Sequence, residues 1–196
     1  MKHRIVLVHG IFNSAYVFYS MRKRLEAQGI ECFAPSLKPR DGHHGIADLA
    51  LKLKYEIDNR FGEDDPIDVL GFSMGGIVAR YYLQKLGGYN RTKRFFTVSS
   101  PHHGSYLAYF YLGKGAMDLR PNSWLLRCLQ ANEDRYRDMQ VYSFWTPFDL
   151  MIVPPSSSVW PIAENKQFRS PLHILMLFNR SLADYIGCCI LGKQQE

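Results

Sequence analysis

A chain of 196 residues with 46% apolar side chains is long enough to bury the core of one domain and too apolar to be disordered. No run reaches the ~18 apolar residues that a membrane-spanning helix needs. The net charge of +6 comes from short clusters such as Arg22-Lys23-Arg24, not from a long basic stripe, so it reads as a mildly basic solvated surface, with no nucleic-acid partner expected.

Lys2-His3-Arg4 runs straight into Ile5-Val6-Leu7-Val8 and His9-Gly10, which reads as a first core strand and a functional loop, not as a cleavable leader. Cys32, Cys128, Cys188 and Cys189 have no metal-ligand spacing, and a bridge between the adjacent pair is geometrically awkward. Reduced thiols and a cytoplasmic location are the expectation.

Strand-like and helix-like segments alternate along the chain. Arg4–Val8 is an expected strand, and Ser14–Gln28 an expected helix closed by Gly29. Ile30–Ala34 is a second strand, stopped by Pro35. Gly45–Arg60 carries Ile46, Leu49, Leu53 and Ile57 at helical spacing. Pro66–Leu70 is a third strand, followed by a sharp turn and a helix to about Lys85. Arg94–Val98 and Met139–Trp145 are the fourth and fifth strands, with short helices over Tyr106–Leu112 and Ser123–Gln130 between them. Pro161–Phe168 holds a short sixth strand, and Pro171–Tyr185 includes a closing helix. This alternation predicts one α/β domain over 1–196, with a mostly parallel sheet of about six strands and helices on both faces.

Gly71-Phe72-Ser73-Met74-Gly75 sits between the third strand and its helix, the setting in which Gly-x-Ser-x-Gly forms a nucleophile elbow. A side chain at Gly71 or Gly75 would strike the neighbouring strand and helix, and the helix start offers amide groups to a developing oxyanion. Ser73 is the candidate nucleophile. It needs a base, and the base needs an orienting acid. In this setting the chain order is nucleophile, acid, histidine. Only His173 follows the fifth strand, while His3, His9, His43 and His44 precede Ser73, and His102 and His103 precede any suitable acid. Asp149 lies just past the fifth strand, where parallel sheets place functional groups. Asp118, Glu133, Asp134, Asp138 and Glu164 read as surface charges. Backbone amides of Met74 and Ile11 are the expected oxyanion donors, with Phe12 as second choice for the latter.

These residues together resemble the α/β-hydrolases, in particular small lipases and esterases. Ser99-Ser100-Pro101-His102-His103-Gly104-Ser105 resembles their Pro-His-x-Gly-Ser segment. Asp149-Leu150-Met151-Ile152-Val153-Pro154 resembles their acid segment with one extra residue, and Leu172 stands where relatives usually carry glycine. The resemblance implies an acyl-enzyme mechanism on a small-molecule or lipid ester, with no metal and no organic cofactor. It supports Ile11 as an oxyanion donor. A thioesterase or acyltransferase would use the same triad, a peptidase is a weaker alternative, and a binding module would be expected to have lost one of its members.

His9, His102 and His103 read as residues that hold loops, and His43-His44 as a solvated pair. Tyr106, Tyr109, Phe110 and Tyr111 read as core packing before acyl-chain wall. Residues 112–138 could form a partial lid, and Leu150, Met151, Ile152 and Trp160 could add apolar surface near the pocket. Contact with a membrane surface would be weak.

Overall fold

The computed structural model describes residues 2–39, 43–136 and 138–193. Six strands form one sheet: β1 (Arg4–Val8), β2 (Glu31–Phe33), β3 (Ile67–Phe72), β4 (Thr92–Val98), β5 (Gln140–Trp145) and β6 (Glu164–Gln167). Their order is β2-β1-β3-β4-β5-β6, and every pairing is parallel. The helices are α1 (Tyr19–Glu26), α2 (Ile46–Phe61), α3 (Met74–Lys85), α4 (Lys114–Asp118), α5 (Trp124–Gln130) and α6 (Arg180–Leu191).

The two-residue period of a strand builds two cores from one sheet. Ile5 and Leu7 of β1 join Leu70, Phe72, Phe96 and Phe144 beneath α1 and α6. Val6 and Val8 turn the other way, to Val69, Phe95 and Val141 beneath α2 and α3. Because β1 leads to β2 on one side and the chain returns to β3 on the other, the loops after β1 and β3 diverge at their carboxyl ends. That divergence opens a crevice where the chain reverses strand order.

The strands lie within a few residues of the sequence reading, and the larger differences are in the first and last helical segments. The first helical segment divides into a 3-10 turn over Ala15–Phe18 and then α1, a common way for a helix to begin. The closing helix starts later and runs beyond Tyr185 to Leu191, because Asn179 caps it by accepting the Leu182 amide at 3.1 Å. Residues 171–179 ahead of it carry a 3-10 helix, His173–Phe178. Of the stretch 112–138, Arg137 lies outside the described residues. Leu119, Leu125, Leu126 and Leu129 of that stretch are buried in the core on the α3 side.

No described helix is long and apolar enough to cross a membrane. Among the described residues the four cysteines are unbridged.

Candidate active site

The elbow is held in a backbone conformation that L-residues rarely adopt. Ser73 has φ 55° and ψ −128°, and its amide donates to the Val98 carbonyl at 2.9 Å, tying the turn to β4. The flanking glycines are required by close approach. A Cβ on Gly75 would lie 2.1 Å from the Val8 carbonyl oxygen, and one on Gly71 would lie 2.3 Å from Cα of Gly76. Both obstacles are backbone, so no rotamer change could clear them. Ser73 itself is 8% exposed and immediately precedes α3, whose first amides have no partner within the helix.

Asp149 and His173 are brought together from the loops after β5 and β6. His173 Nδ1 lies 2.9 Å from Oδ1 and 2.8 Å from Oδ2 of Asp149. Oδ1 also accepts the amides of Met151 and Ile152, each at 2.9 Å, so the loop folds around its own carboxylate. Burial pushes the Asp149 carboxyl upward. The His173 hydrogen bond, its charge and the two amides outweigh that push and hold it below the usual carboxylate range. The loops are further joined by Thr146 Oγ1, which donates to the Ser170 carbonyl at 2.7 Å. The His173 ring packs on Phe72, the residue that precedes Ser73, with centroids 4.8 Å apart. No hydrogen bond joins Ser73 to His173 among the described residues, and such bonds often tighten only once substrate is bound.

Ile11 and Met74 line a cavity of about 50 Å³ together with Ser73, Leu119, Met151 and Ile152. The loop bearing Ile11 is braced by His9, whose Nδ1 meets the Gly10 carbonyl at 2.9 Å while Nε2 accepts the Leu37 amide at 3.0 Å. Phe12, at φ 58°, adopts the left-handed conformation that lets the loop reverse. Asn13 donates its side-chain amide to the Ile11 carbonyl at 2.9 Å.

Behind the elbow lies a polar cluster whose extent the sequence conceals. Arg80 of α3 is fully buried, stacks 4.3 Å over the Trp160 ring, and contacts His102 Nδ1 at 3.2 Å and Glu133 Oε1 at 3.0 Å. Trp160 also donates its indole N–H to Glu133 at 2.7 Å. Glu133 is therefore an acceptor for two buried donors and not a surface charge. Asp118 likewise caps α2 by accepting the Ile46 amide at 2.9 Å. Trp160 is fully buried in this cluster and contributes nothing to the pocket. Tyr106, Tyr109 and Phe110 are exposed and not packed into the core, while Tyr111 lines the cavity. The polar residues of the cluster come from segments 22 to 53 positions apart, which sequence spacing alone does not reveal.

The alpha/beta hydrolase family profile matches residues 5–184. The chain belongs to the alpha/beta hydrolase family. The fold is similar to the mature form of Bacillus licheniformis lipase BlEst2, with a TM-score of 0.77 at 19% identity over 97% of this chain and 92% of that one. It is similar to Aspergillus fumigatus lipase B at TM-score 0.81 and 15% identity, covering 97% of this chain but only 52% of that enzyme. Polyneuridine aldehyde esterase matches at TM-score 0.65 and 19% identity, over 98% of this chain and 99% of that one. At these identities the likeness establishes the fold. No curated protein sequence matches the chain.

Proposed function

We propose that this hydrolase-family member is a serine-dependent carboxylic-ester hydrolase. Ser73 attacks the acyl carbonyl, and His173 takes the hydroxyl proton and delivers it to the departing alcohol. Asp149 holds the imidazole tautomer and stabilises its charged form. Water, activated by the same histidine, then releases the acid. The amides of Met74 and Ile11 receive the oxyanion. The observation that carries the reading is the pair of buried Asp149 and half-buried His173, formed beside a serine in a strained turn. Few structural needs would place a carboxylate, an imidazole and a left-handed serine on three separate loops at one sheet edge.

The small, mainly apolar cavity favours a short acyl group, and part of 112–138 serves as its wall through Ala116 and Leu119. The test is hydrolysis of p-nitrophenyl esters from acetate to palmitate, repeated with competing alcohols and with a thioester. Free acid as the product, with a preference for short oxygen esters, supports the esterase reading. Acyl transfer to the alcohol or a preference for the thioester would replace it with a transferase or thioesterase.

A further inference from the structure

The loop after β4 buries a hydroxyl that takes no part in the triad. Ser105 is 4% exposed, and its Oγ is fully engaged. It accepts the amides of Leu107 at 3.3 Å and Val153 at 3.0 Å, and donates its proton to the Met151 carbonyl at 3.0 Å. The partners fix these roles, because an amide N–H only donates and a carbonyl only accepts. Capping of the 3-10 helix Tyr106–Phe110 accounts for the Leu107 bond alone. The other two reach 46 and 48 residues along the chain, to the loop that carries Asp149.

There they meet the acid's own support. The Met151 carbonyl and the Ile152 amide belong to one peptide unit. Its oxygen takes the Ser105 proton, and its N–H goes to Asp149 Oδ1 at 2.9 Å. Oδ1 in turn faces His173 Nδ1. A chain of hydrogen bonds thus runs from Ser105 through one peptide and one carboxylate to the imidazole, and each link polarises the next. The Val153 bond secures the far side of the same turn, and the Tyr106 amide donates back to the Val153 carbonyl at 2.8 Å. Ser105 is itself anchored, its amide donating to the Leu119 carbonyl at 2.9 Å. A cap needs only an acceptor oxygen, whereas this hydroxyl also directs its proton at the peptide behind the acid.

We propose that Ser105 is a positioning residue: its hydroxyl fixes and polarises the Met151–Ile152 peptide, which holds Asp149 against His173 Nδ1 and leaves Nε2 as the base toward Ser73. The proposal rests on the ester-hydrolase reading. Ser105→Ala is expected to lower kcat for p-nitrophenyl acetate about 10- to 100-fold, the scale of a small misplacement of a catalytic group. Ser105 also borders the cavity beside Ser73, so a mere change of its wall would show in KM, which should stay within about threefold. Ser105→Thr keeps the hydroxyl and should restore kcat to within about threefold of wild type. Made in Asp149→Asn, where the route through the acid is already cut, Ser105→Ala should cost less than about twofold. Two-bond nitrogen–proton spectra of nitrogen-15-labelled protein give the His173 tautomer without any turnover. Wild type and Ser105→Thr should carry the proton on Nδ1, and Ser105→Ala should show a mixture of tautomers. Ser105→Cys, a weak donor and acceptor in the same place, carries both measurements should Ser105→Ala not fold. An equal loss of kcat in the wild-type and Asp149→Asn backgrounds, an unchanged tautomer in Ser105→Ala, or a Ser105→Thr as impaired as Ser105→Ala overturns the proposal. If the wild type turns over no ester, the esterase reading fails and the tautomer alone decides: a mixture in Ser105→Ala upholds the positioning role, and a retained Nδ1 proton overturns it.

Discussion

Asp149 Oδ1 serves two masters: it meets His173 Nδ1 at 2.9 Å and accepts the amides of Met151 and Ile152 at the same distance. The acid is therefore both the orienting partner of the imidazole and the centre of its own loop. Asp149→Asn can keep the loop bonds through its carbonyl oxygen but loses the charge and the tautomer control. We expect kcat to fall by about 10³ to 10⁴ with little change in unfolding free energy. Asp149→Ala should lose as much activity and also about 1–3 kcal/mol of stability, because two amides lose their acceptor. Ester kinetics beside urea unfolding of both variants separate the two roles.

Gly75→Ala tests the elbow from the side of packing. Its new methyl would sit 2.1 Å from the Val8 carbonyl and 2.6 Å from that of His9, so β1 and α3 would have to part. The expected loss is about 3 kcal/mol, the upper end of overpacking costs, and is read from the urea midpoint. A loss below about 1 kcal/mol would mean that the contact relaxes freely.

The His102 imidazole is fully buried, and desolvation, then the charges of Arg80 and His103, lower its pKa well below the ordinary value. A histidine lowered in the fold binds its proton in the unfolded chain first, so the unfolded state carries more protons as pH drops below about 6.5. Stability is then full above that pH and falls as pH moves down toward the folded value. His102→Gln should flatten this slope by up to ~1.4 kcal/mol per pH unit, whatever its effect on absolute stability. An unchanged slope between pH 5 and roughly 6.5 would contradict a neutral buried imidazole.

Leu119 is buried and contributes to the cavity beside Ser73. Leu119→Ala removes three carbons from that wall and should move the chain-length optimum of ester hydrolysis upward, at a cost of about 2–3 kcal/mol in stability. The p-nitrophenyl ester series measures the shift. An unmoved optimum would place the acyl group elsewhere.

Much of this was legible in the sequence because the relevant signals are local or ordered. Alternating faces in Ile5-Val6-Leu7-Val8 and the strand–turn–helix around Ser73 announce a parallel α/β sheet without long-range information. The pairing of Asp149 with His173 follows from chain order at strand ends. What stayed hidden depends on contacts between distant segments. Glu133 and Asp118 look like surface acids until Arg80, Trp160 and the start of α2 arrive to use them. Tyr106 and Phe110 have the composition of a core, and only the position of their loop at the sheet edge leaves them in solvent.

The central claim is that Ser73 is the activated nucleophile, and intact-mass spectrometry after treatment with a fluorophosphonate, which phosphonylates such a serine, tests it most directly. The account predicts one adduct per chain, mapped to Ser73, absent in Ser73→Ala and formed far more slowly in His173→Ala. An unlabelled wild-type chain that also fails to hydrolyse any ester, or an adduct that persists in Ser73→Ala, would contradict it.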